Sequence, residues 1–133
     1  MIRAGGAFRV TRPYMVERTI GIALLGCGVV GGGVARILSE QRELIARRTG
    51  LCFDVRHVVV RDRAKARGLG DLPITTDPNA AIDDPQVKIV VELMGGTGVA
   101  GELVVRALSL GKPVVTANKS LLAARGRELT ATT

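Results

Sequence analysis

Short apolar runs alternate with amphipathic stretches along the chain, and this alternation predicts its secondary structure. Residues 20–25 form an apolar run that ends at a glycine, which is typical of a strand buried on both faces of a parallel sheet. Apolar residues then recur at helical spacing from Val30 to Ile45, opposite a charged face, and predict one helix that ends near Gly50. Residues 53–60 are rich in β-branched side chains and predict a second strand.

The second half of the chain repeats this alternation. Glycines and prolines punctuate residues 63–86, where the pattern predicts only a short helix over 78–82 with Asp77 as its cap. Gly111 and Pro113 are typical of a helix end, since glycine forms left-handed caps and proline cannot continue a helix. The remaining patterns predict strands over 87–93 and 113–116 and helices over 99–108 and 121–129.

Strict alternation of strands and helices predicts an α/β fold, a doubly wound parallel sheet of the Rossmann type. The order stops after a helix that leads into a further strand in such folds, so we expect the sheet to be incomplete at the C-terminus. Ligands of these sheets bind outside the carboxyl ends of the strands. Gly26, Arg61, Gly95 and Ala117 follow the four predicted strands, and we expect the chemistry at their turns.

The composition is that of a globular protein with one domain. The chain has 133 residues, of which 47% are hydrophobic and 23% charged, and a chain of this length buries a core without metals or disulfides. Cys27 and Cys52 form neither a disulfide framework nor a Cys/His cluster, so we expect no metal and a cytoplasmic location. The apolar runs are too short to cross a membrane. We expect residues 1–18 to be a basic, poorly ordered extension and residues 19–133 to be the folded domain.

Positive charge is concentrated in the first half of the chain. The net charge is +7, and residues 1–67 hold 13 basic and 5 acidic side chains, against 6 and 7 in residues 68–133. Such a field attracts nucleic acid or a phosphorylated cofactor. Because the three aromatic residues are too few and too scattered to stack bases, we expect no nucleic-acid partner.

A GxGxxG motif between the first predicted strand and helix predicts a dinucleotide-binding turn. In such a turn the first glycine allows the tight bend, the second lets a pyrophosphate approach the backbone, and the third lets the helix pack against its strand. The helix start adds free N–H groups and the positive end of its dipole. A glycine-rich turn that binds nothing remains the alternative. The motif consists of Gly26, Cys27, Gly28, Val29, Val30 and Gly31.

Arg61 and Asp62 end the second predicted strand, where the ribose of a dinucleotide is recognised. An acidic residue there hydrogen-bonds the ribose of NAD, and an arginine pairs with the 2′-phosphate of NADP. Arg61 comes first and is followed by further basic residues, so we favour NADP and keep NAD open through Asp62. Taken one at a time, the later basic residues Arg63, Lys65 and Arg67 are typical of a solvated loop.

Thr97 and Lys119 come after the third and fourth predicted strands, at the same sheet edge. Thr97 can hydrogen-bond the cofactor and can cap the next helix, and the two roles are compatible, although capping alone also accounts for the residue. Lys119 can hydrogen-bond a carbonyl oxygen or neutralise charge that develops during hydride transfer, although a lone lysine at a helix start is more often solvated. Beside a helix N-terminus, the thiol of Cys27 either has a lowered pKa and reacts or serves as a small side chain, and we favour the second. We assign no role to His57.

Four segments of the chain resemble the amino-terminal NAD(P)-binding domain of the homoserine dehydrogenase family. They are GCGVVGGGV at 26–34, VVRD at 59–62, VELMGGT at 91–97 and GKPVVTANKSLLA at 111–123, and the resemblance covers about residues 19–129. The last segment is the most specific, because glycine-rich nucleotide loops occur in many families and the strand-ending TANK stretch does not.

The resemblance implies an NAD(P)-dependent oxidoreductase that interconverts L-aspartate 4-semialdehyde and L-homoserine on the route to threonine, methionine and isoleucine. It implies that residues 26–31 hold the pyrophosphate and that Arg61 approaches the 2′-phosphate. It also implies that Thr97 lies beside the nicotinamide half and that Lys119 is an active-site lysine. Family members continue into a substrate-binding and dimerisation domain that supplies an acidic residue and a second lysine. Since that part is missing from this sequence, we expect the chain alone to bind cofactor without turning over homoserine.

Two other functions stay open. Another amino-acid or sugar dehydrogenase, such as aspartate dehydrogenase or a relative of glucose-fructose oxidoreductase, is similar at the first glycine loop but differs at the TANK stretch. A regulatory module that binds NAD(P) and signals without catalysis also fits a chain that lacks the second domain.

Overall fold

A computed structural model of the chain describes residues 18–65 and 71–132, which form a parallel five-stranded sheet with helices packed against it. A 3₁₀ turn at Arg63–Lys65 follows the second strand. In chain order the strands and α-helices are β1 (Arg18–Leu25), α1 (Val29–Glu40), α2 (Arg42–Thr49), β2 (Leu51–Val59), β3 (Ile74–Thr75), α3 (Pro78–Asp83), β4 (Val87–Glu92), α4 (Val99–Ser109), β5 (Val114–Thr116) and α5 (Lys119–Thr132).

The central strand of the sheet is β1. The strand order is β3-β2-β1-β4-β5, and every neighbouring pair is parallel. The chain runs outward from β1 through β2 to β3 and then returns to the other side of β1 with β4 and β5. The strand order therefore reverses between β1 and β4, and this is where such sheets open a crevice at the carboxyl ends of their strands. The predicted α/β, doubly wound fold is confirmed.

Side chains of β1 are buried on both faces of the sheet, as its apolar run predicted. Leu25 belongs to a core cluster with Ile82 of α3 and Leu103 of α4. Leu24 belongs to a second cluster with Ala35 of α1. Because successive residues of a strand face opposite sides of the sheet, the two clusters place helices on both faces and fix the end of β1 between them.

The single helix predicted from Val30 to Ile45 is wrong, because the chain forms two helices there. Gln41 separates α1 from α2 with an irregular backbone (φ −100°, ψ 14°), and its N–H donates to the Ile37 carbonyl at 2.9 Å. The helical spacing of apolar residues continues across this break, so the pattern carried no sign of it. The left-handed Gly50 (φ 74°) ends α2 close to the predicted position.

The two-residue strand β3 was not predicted, since it is too short to show a pattern. It extends the sheet beyond β2, where the Val58 N–H donates to the Pro73 carbonyl at 2.8 Å. The Val60 N–H donates in the same way to the Thr75 carbonyl at 2.9 Å. These bonds bring the segment that follows β3 to the carboxyl end of β2.

Two predicted helix-end residues are confirmed, and the bounds of one predicted helix are wrong. The Asp77 side chain accepts two backbone N–H groups of α3, at 3.0 and 3.2 Å, which confirms its capping role. Gly111 is left-handed (φ 78°) after α4, as predicted. The last helix, predicted over 121–129, begins earlier at Lys119 and is interrupted by non-helical backbone at Arg125.

Arg18, the last residue of the predicted N-terminal extension, is the first residue of β1. Its N–H donates to the Gly50 carbonyl at 3.0 Å. The rest of the predicted extension, residues 1–17, lies outside the described residues, as does Arg67. Within residues 18–65 and 71–132, no helix is long and apolar enough to cross a membrane.

Asp84, which follows α3, ties β2 to the start of β4. Its Oδ2 accepts the Arg56 Nε–H at 2.9 Å and lies 2.8 Å from His57 Nε2. Its Oδ1 accepts the Gln86 N–H at 2.8 Å. The backbone hydrogen bond from Gln86, together with those from His57 and Arg56, holds the pKa of the Asp84 carboxyl well below its usual value. His57 therefore belongs to a structural cluster.

We expect Asp84→Asn to lower the free energy of unfolding at neutral pH by about 2 kcal/mol, the range for hydrogen bonds to a charged group. Because the folded-state pKa lies below the unfolded-state value of about 3.9, this contribution is present above that value and is lost as the pH falls. The difference in the free energy of unfolding between wild type and variant, measured by urea unfolding, should therefore become smaller toward about pH 3.

Asp83→Asn is the matched control for this experiment. Asp83 pairs with Arg106, but both side chains are about half exposed, so solvent screens the pair and we expect a smaller loss of stability. A loss for Asp84→Asn that stays constant between neutral and acid pH would contradict the assignment.

Candidate functional site

The carboxyl end of β1 is a sharp bend that favours glycine. Gly26 has left-handed backbone (φ +99°), and a Cβ there would lie 3.1 Å from the Leu93 carbonyl, just beyond β4. The Gly26 N–H donates to the Val59 carbonyl of β2 at 2.8 Å. The bend is therefore held between the ends of β2 and β4, at the reversal point of the sheet.

The other two glycines of the motif, Gly28 and Gly31, have different roles. A Cβ on Gly31 would lie 2.6 Å from the Gly26 carbonyl oxygen, so the absence of a side chain lets α1 approach the end of β1 this closely. A Cβ on Gly28 would meet nothing within 4 Å. Gly28 is the N-cap of α1, and because it has no side chain, no side-chain hydrogen bond caps the first turn of the helix. The first turn of α1 thus presents backbone N–H groups beside open space, an arrangement that favours an anion.

A cleft of about 610 Å³ opens at this bend. Its volume is within the range of small-ligand sites. It lies at the ends of β1, β2 and β4, which agrees with the reversal of strand order there. Of the predicted site residues, Gly26, Cys27, Gly28 and Arg61 line it.

Arg61 and Asp62 are exposed at the mouth of the cleft. Asp62 Oδ1 accepts the Ala64 N–H at 2.9 Å and so caps the short turn that follows β2. Arg63 Nη2 donates to the Ile74 carbonyl at 3.0 Å and ties the same turn to β3. Within the described parts of the chain, Arg61 has no hydrogen bond or ion pair. Of the basic side chains that the structure describes in this loop, Arg61 is the one that lines the cleft.

Val29 and Val30 begin α1, and Gly31 is buried beneath the bend. Val30, Gly31, Thr97 and Lys119 are not among the residues that line the cleft. Thr97 precedes α4, and the exposed Lys119 is the first residue of α5.

Thr97 does not cap α4, so that predicted role is wrong. The N-cap of α4 is Gly98, and no side chain hydrogen-bonds there. Asn118 Nδ2 donates to the Gly96 carbonyl at 2.5 Å, and this bond joins the segments that carry Thr97 and Lys119. The two predicted residues therefore follow linked turns on the side of the crevice away from Arg61.

Cys27 lines the cleft inside the glycine bend. Partial burial raises the pKa of its thiol, which is the opposite of the lowering expected for a reactive cysteine. The neutral thiol predominates at neutral pH, in agreement with the interpretation of Cys27 as a small side chain.

A family model described as homoserine dehydrogenase, NAD binding domain, matches residues 26–133. The chain belongs to the homoserine dehydrogenase family. A homoserine dehydrogenase of Methylobacillus glycogenes is 45% identical over 108 residues, which cover 80% of this chain and 26% of that protein. One of Corynebacterium glutamicum is 45% identical over 111 residues, which cover 83% of this chain and 25% of that protein.

Solved structures show the same relationship. The crystal structure of a homoserine dehydrogenase from Thiobacillus denitrificans matches with a TM-score of 0.83 and 46% sequence identity, over 90% of this chain and 28% of that chain. The present chain thus spans about a quarter of the length of the curated homoserine dehydrogenases that it matches.

Several side chains at the site were not predicted from the sequence. Thr76, Pro78 and Val99 line the cleft although they precede or begin helices α3 and α4. Their position at the cleft depends on how α3 and α4 pack against the sheet, and the spacing of apolar residues along the chain does not predict that packing. Glu92 is fully buried at the end of β4, and a charged residue that closes an apolar run is a signal that the sequence did contain.

We expect Gly31→Ala to destabilise the folded chain by about 2 kcal/mol, because the added methyl group overlaps the Gly26 carbonyl and pushes α1 off the sheet. Gly32→Ala is the matched control in the same helix, where a Cβ meets nothing within 4 Å. It should be neutral or stabilise by about 0.5–1 kcal/mol. Urea unfolding of both variants measures the difference, and equal effects would rule out the close contact.

Proposed function

We propose that this chain is the cofactor-binding part of a homoserine dehydrogenase and that it binds NADP in preference to NAD. The cofactor extends across the crevice between β1 and β4. The observation that carries the proposal is the bend at residues 26–31, where close packing at Gly31 and open space at Gly28 leave bare backbone beside the cleft.

The residues of the bend suit the pyrophosphate of a dinucleotide. A side chain at Gly28 would occupy space that is free, and the uncapped first turn of α1 supplies N–H donors and the positive end of the helix dipole. Met94 and Val99 add apolar surface to the cleft wall. When bound, the cofactor supplies the hydride chemistry, and the protein binds and orients it.

The two polar side chains after β2 support NADP over NAD. One carboxylate oxygen of Asp62 already accepts the Ala64 N–H, and this hydrogen bond stabilises the local turn. Arg61 lines the cleft and has no partner among the described residues. A guanidinium in this setting pairs well with a phosphate, since it offers several N–H donors in one plane.

Lys119 is the residue we assign to the reacting carbonyl. It is exposed in the first turn of α5, where the positive end of the helix dipole disfavours a cation, so helix stability does not account for its position. Its ammonium group would donate a hydrogen bond to the aldehyde oxygen of aspartate 4-semialdehyde and stabilise the negative charge that forms there as hydride arrives. In the reverse direction it would stabilise the alkoxide of homoserine.

Turnover requires groups beyond this chain. The relatives are about four times as long as the region they share with it. The family resemblance implies that the proton-transfer residues and the dimer contacts belong to a second domain. We assign to residues 18–132 the binding and orientation of the cofactor and, through Lys119, one contact to the substrate. Two free cysteines, Cys27 and Cys52, agree with a reducing, cytoplasmic location.

Arg61→Ala should weaken NADP binding by about 1.5 to 3 kcal/mol, roughly 10- to 150-fold in Kd, and leave NAD binding nearly unchanged. The reason is that only NADP carries the 2′-phosphate that the guanidinium would contact. Isothermal titration calorimetry with each cofactor measures both constants.

Arg63→Ala is the matched control for Arg61→Ala. It removes the same charge from the same loop, but the Arg63 guanidinium donates to the Ile74 carbonyl and does not line the cleft. We therefore expect Arg63→Ala to change the affinities for NADP and NAD by similar, small amounts. Equal losses of NADP and NAD affinity in Arg61→Ala would assign Arg61 to general electrostatic attraction.

The 133-residue chain should bind NADP but show no oxidation of homoserine, as followed by the absorbance of NADPH. Clear turnover by this chain alone would show that the catalytic groups we place elsewhere are dispensable. Binding of neither NADP nor NAD would remove the proposed function altogether.

A further inference from the structure

A buried carboxyl group lies at the end of β4, on the side of the crevice away from Arg61. Glu92 is 0% exposed, and among the described residues it is the one buried charged side chain. Burial of a carboxyl group is unfavourable unless hydrogen bonds compensate it. The rest of β4 is built mainly from valine and isoleucine, so core packing alone does not require a glutamate at this position.

The contacts of Glu92 all go to the turns at the crevice. Its Oε2 accepts the N–H groups of Met94 and Gly95, at 2.8 and 3.2 Å. Its Oε1 accepts the Thr116 hydroxyl at 2.5 Å, at the end of β5. One carboxyl group therefore holds the ends of two neighbouring strands.

The hydrogen bonds continue from Thr116 to the start of α5. Thr116 Oγ1 accepts the Asn118 N–H at 3.0 Å. Asn118 Oδ1 accepts the Leu121 N–H at 3.0 Å and caps the helix, while its Nδ2 donates to the Gly96 carbonyl at 2.5 Å. The chain of bonds is closed, because Gly96 directly follows the turn that Glu92 holds.

We propose that Glu92 is a positioning residue for the nicotinamide half of the site. It fixes the turn before Thr97 and, through Thr116 and Asn118, the backbone that carries Lys119. This inference rests on the proposed function, because it takes the crevice to be a dinucleotide site with Arg61 at its adenine side. Glu92 touches neither cofactor nor substrate and acts through the two turns.

Glu92→Gln tests this role with little change in size. Glutamine keeps one carbonyl oxygen for the N–H groups of Met94 and Gly95, but its amide group is a donor toward Thr116. The Thr116 hydroxyl then loses its acceptor and the link to Asn118 weakens. The probes are NADPH and adenosine 2′,5′-bisphosphate, which carries the adenine half and its phosphates but no nicotinamide.

We expect Glu92→Gln to weaken NADPH binding about fivefold or more while the Kd for adenosine 2′,5′-bisphosphate changes less than about twofold. The fluorescence of bound NADPH, which reports on the nicotinamide ring, should shift toward that of the free cofactor. Thr116→Val should reproduce this pattern, since it removes the same link from the other side, and it serves as the second variant if Glu92→Gln does not fold.

Val90→Ala is the control for lost stability. It creates a cavity on the same strand in the core, at a fully buried position, and should affect both ligands equally. If Glu92→Gln and Thr116→Val affect both ligands equally as well, Glu92 is a structural residue and the inference is overturned. If the wild-type chain binds neither ligand, the proposed function fails first and the inference fails with it.

Discussion

The close approach of α1 to the end of β1 is the constraint on which the site depends. The helix reaches the strand because Gly31 has no side chain to meet the Gly26 carbonyl. That approach directs the first turn of α1 toward the crevice, with Gly28 leaving free space above it. The completely buried Leu24 and Leu25 anchor the strand on both faces, so the core fixes where the bend begins.

The two sides of the crevice are built in opposite ways. The side next to β2 is formed by the glycines of the bend, whose backbone is bare, and by Arg61, which has no partner among the described residues. The side next to β5 is formed by a satisfied network in which Glu92 holds Thr116 and the turn before Gly96. A bare and positively charged surface suits phosphates, whereas an ordered network suits a reacting carbon that must be held in one geometry.

The sequence predicted the features that local chemistry controls. The glycine spacing, the Asp77 cap and the turn at Gly111 each follow from the conformational preferences of single residues. The break at Gln41 was not predictable in this way, since the apolar spacing continues across it. The role of Glu92 depends on a partner 24 positions away along the chain, and such pairings appear only once the strand order is known.

An NMR titration of the ¹⁵N-labelled chain with NADP tests directly whether the bend at residues 26–31 binds the phosphates of the cofactor. We expect saturable shifts that are largest at the backbone N–H groups of residues 28–31 and at Arg61, because these groups would contact the phosphates. Saturation with those N–H signals unmoved, or with shifts confined to another face of the sheet, would contradict this expectation.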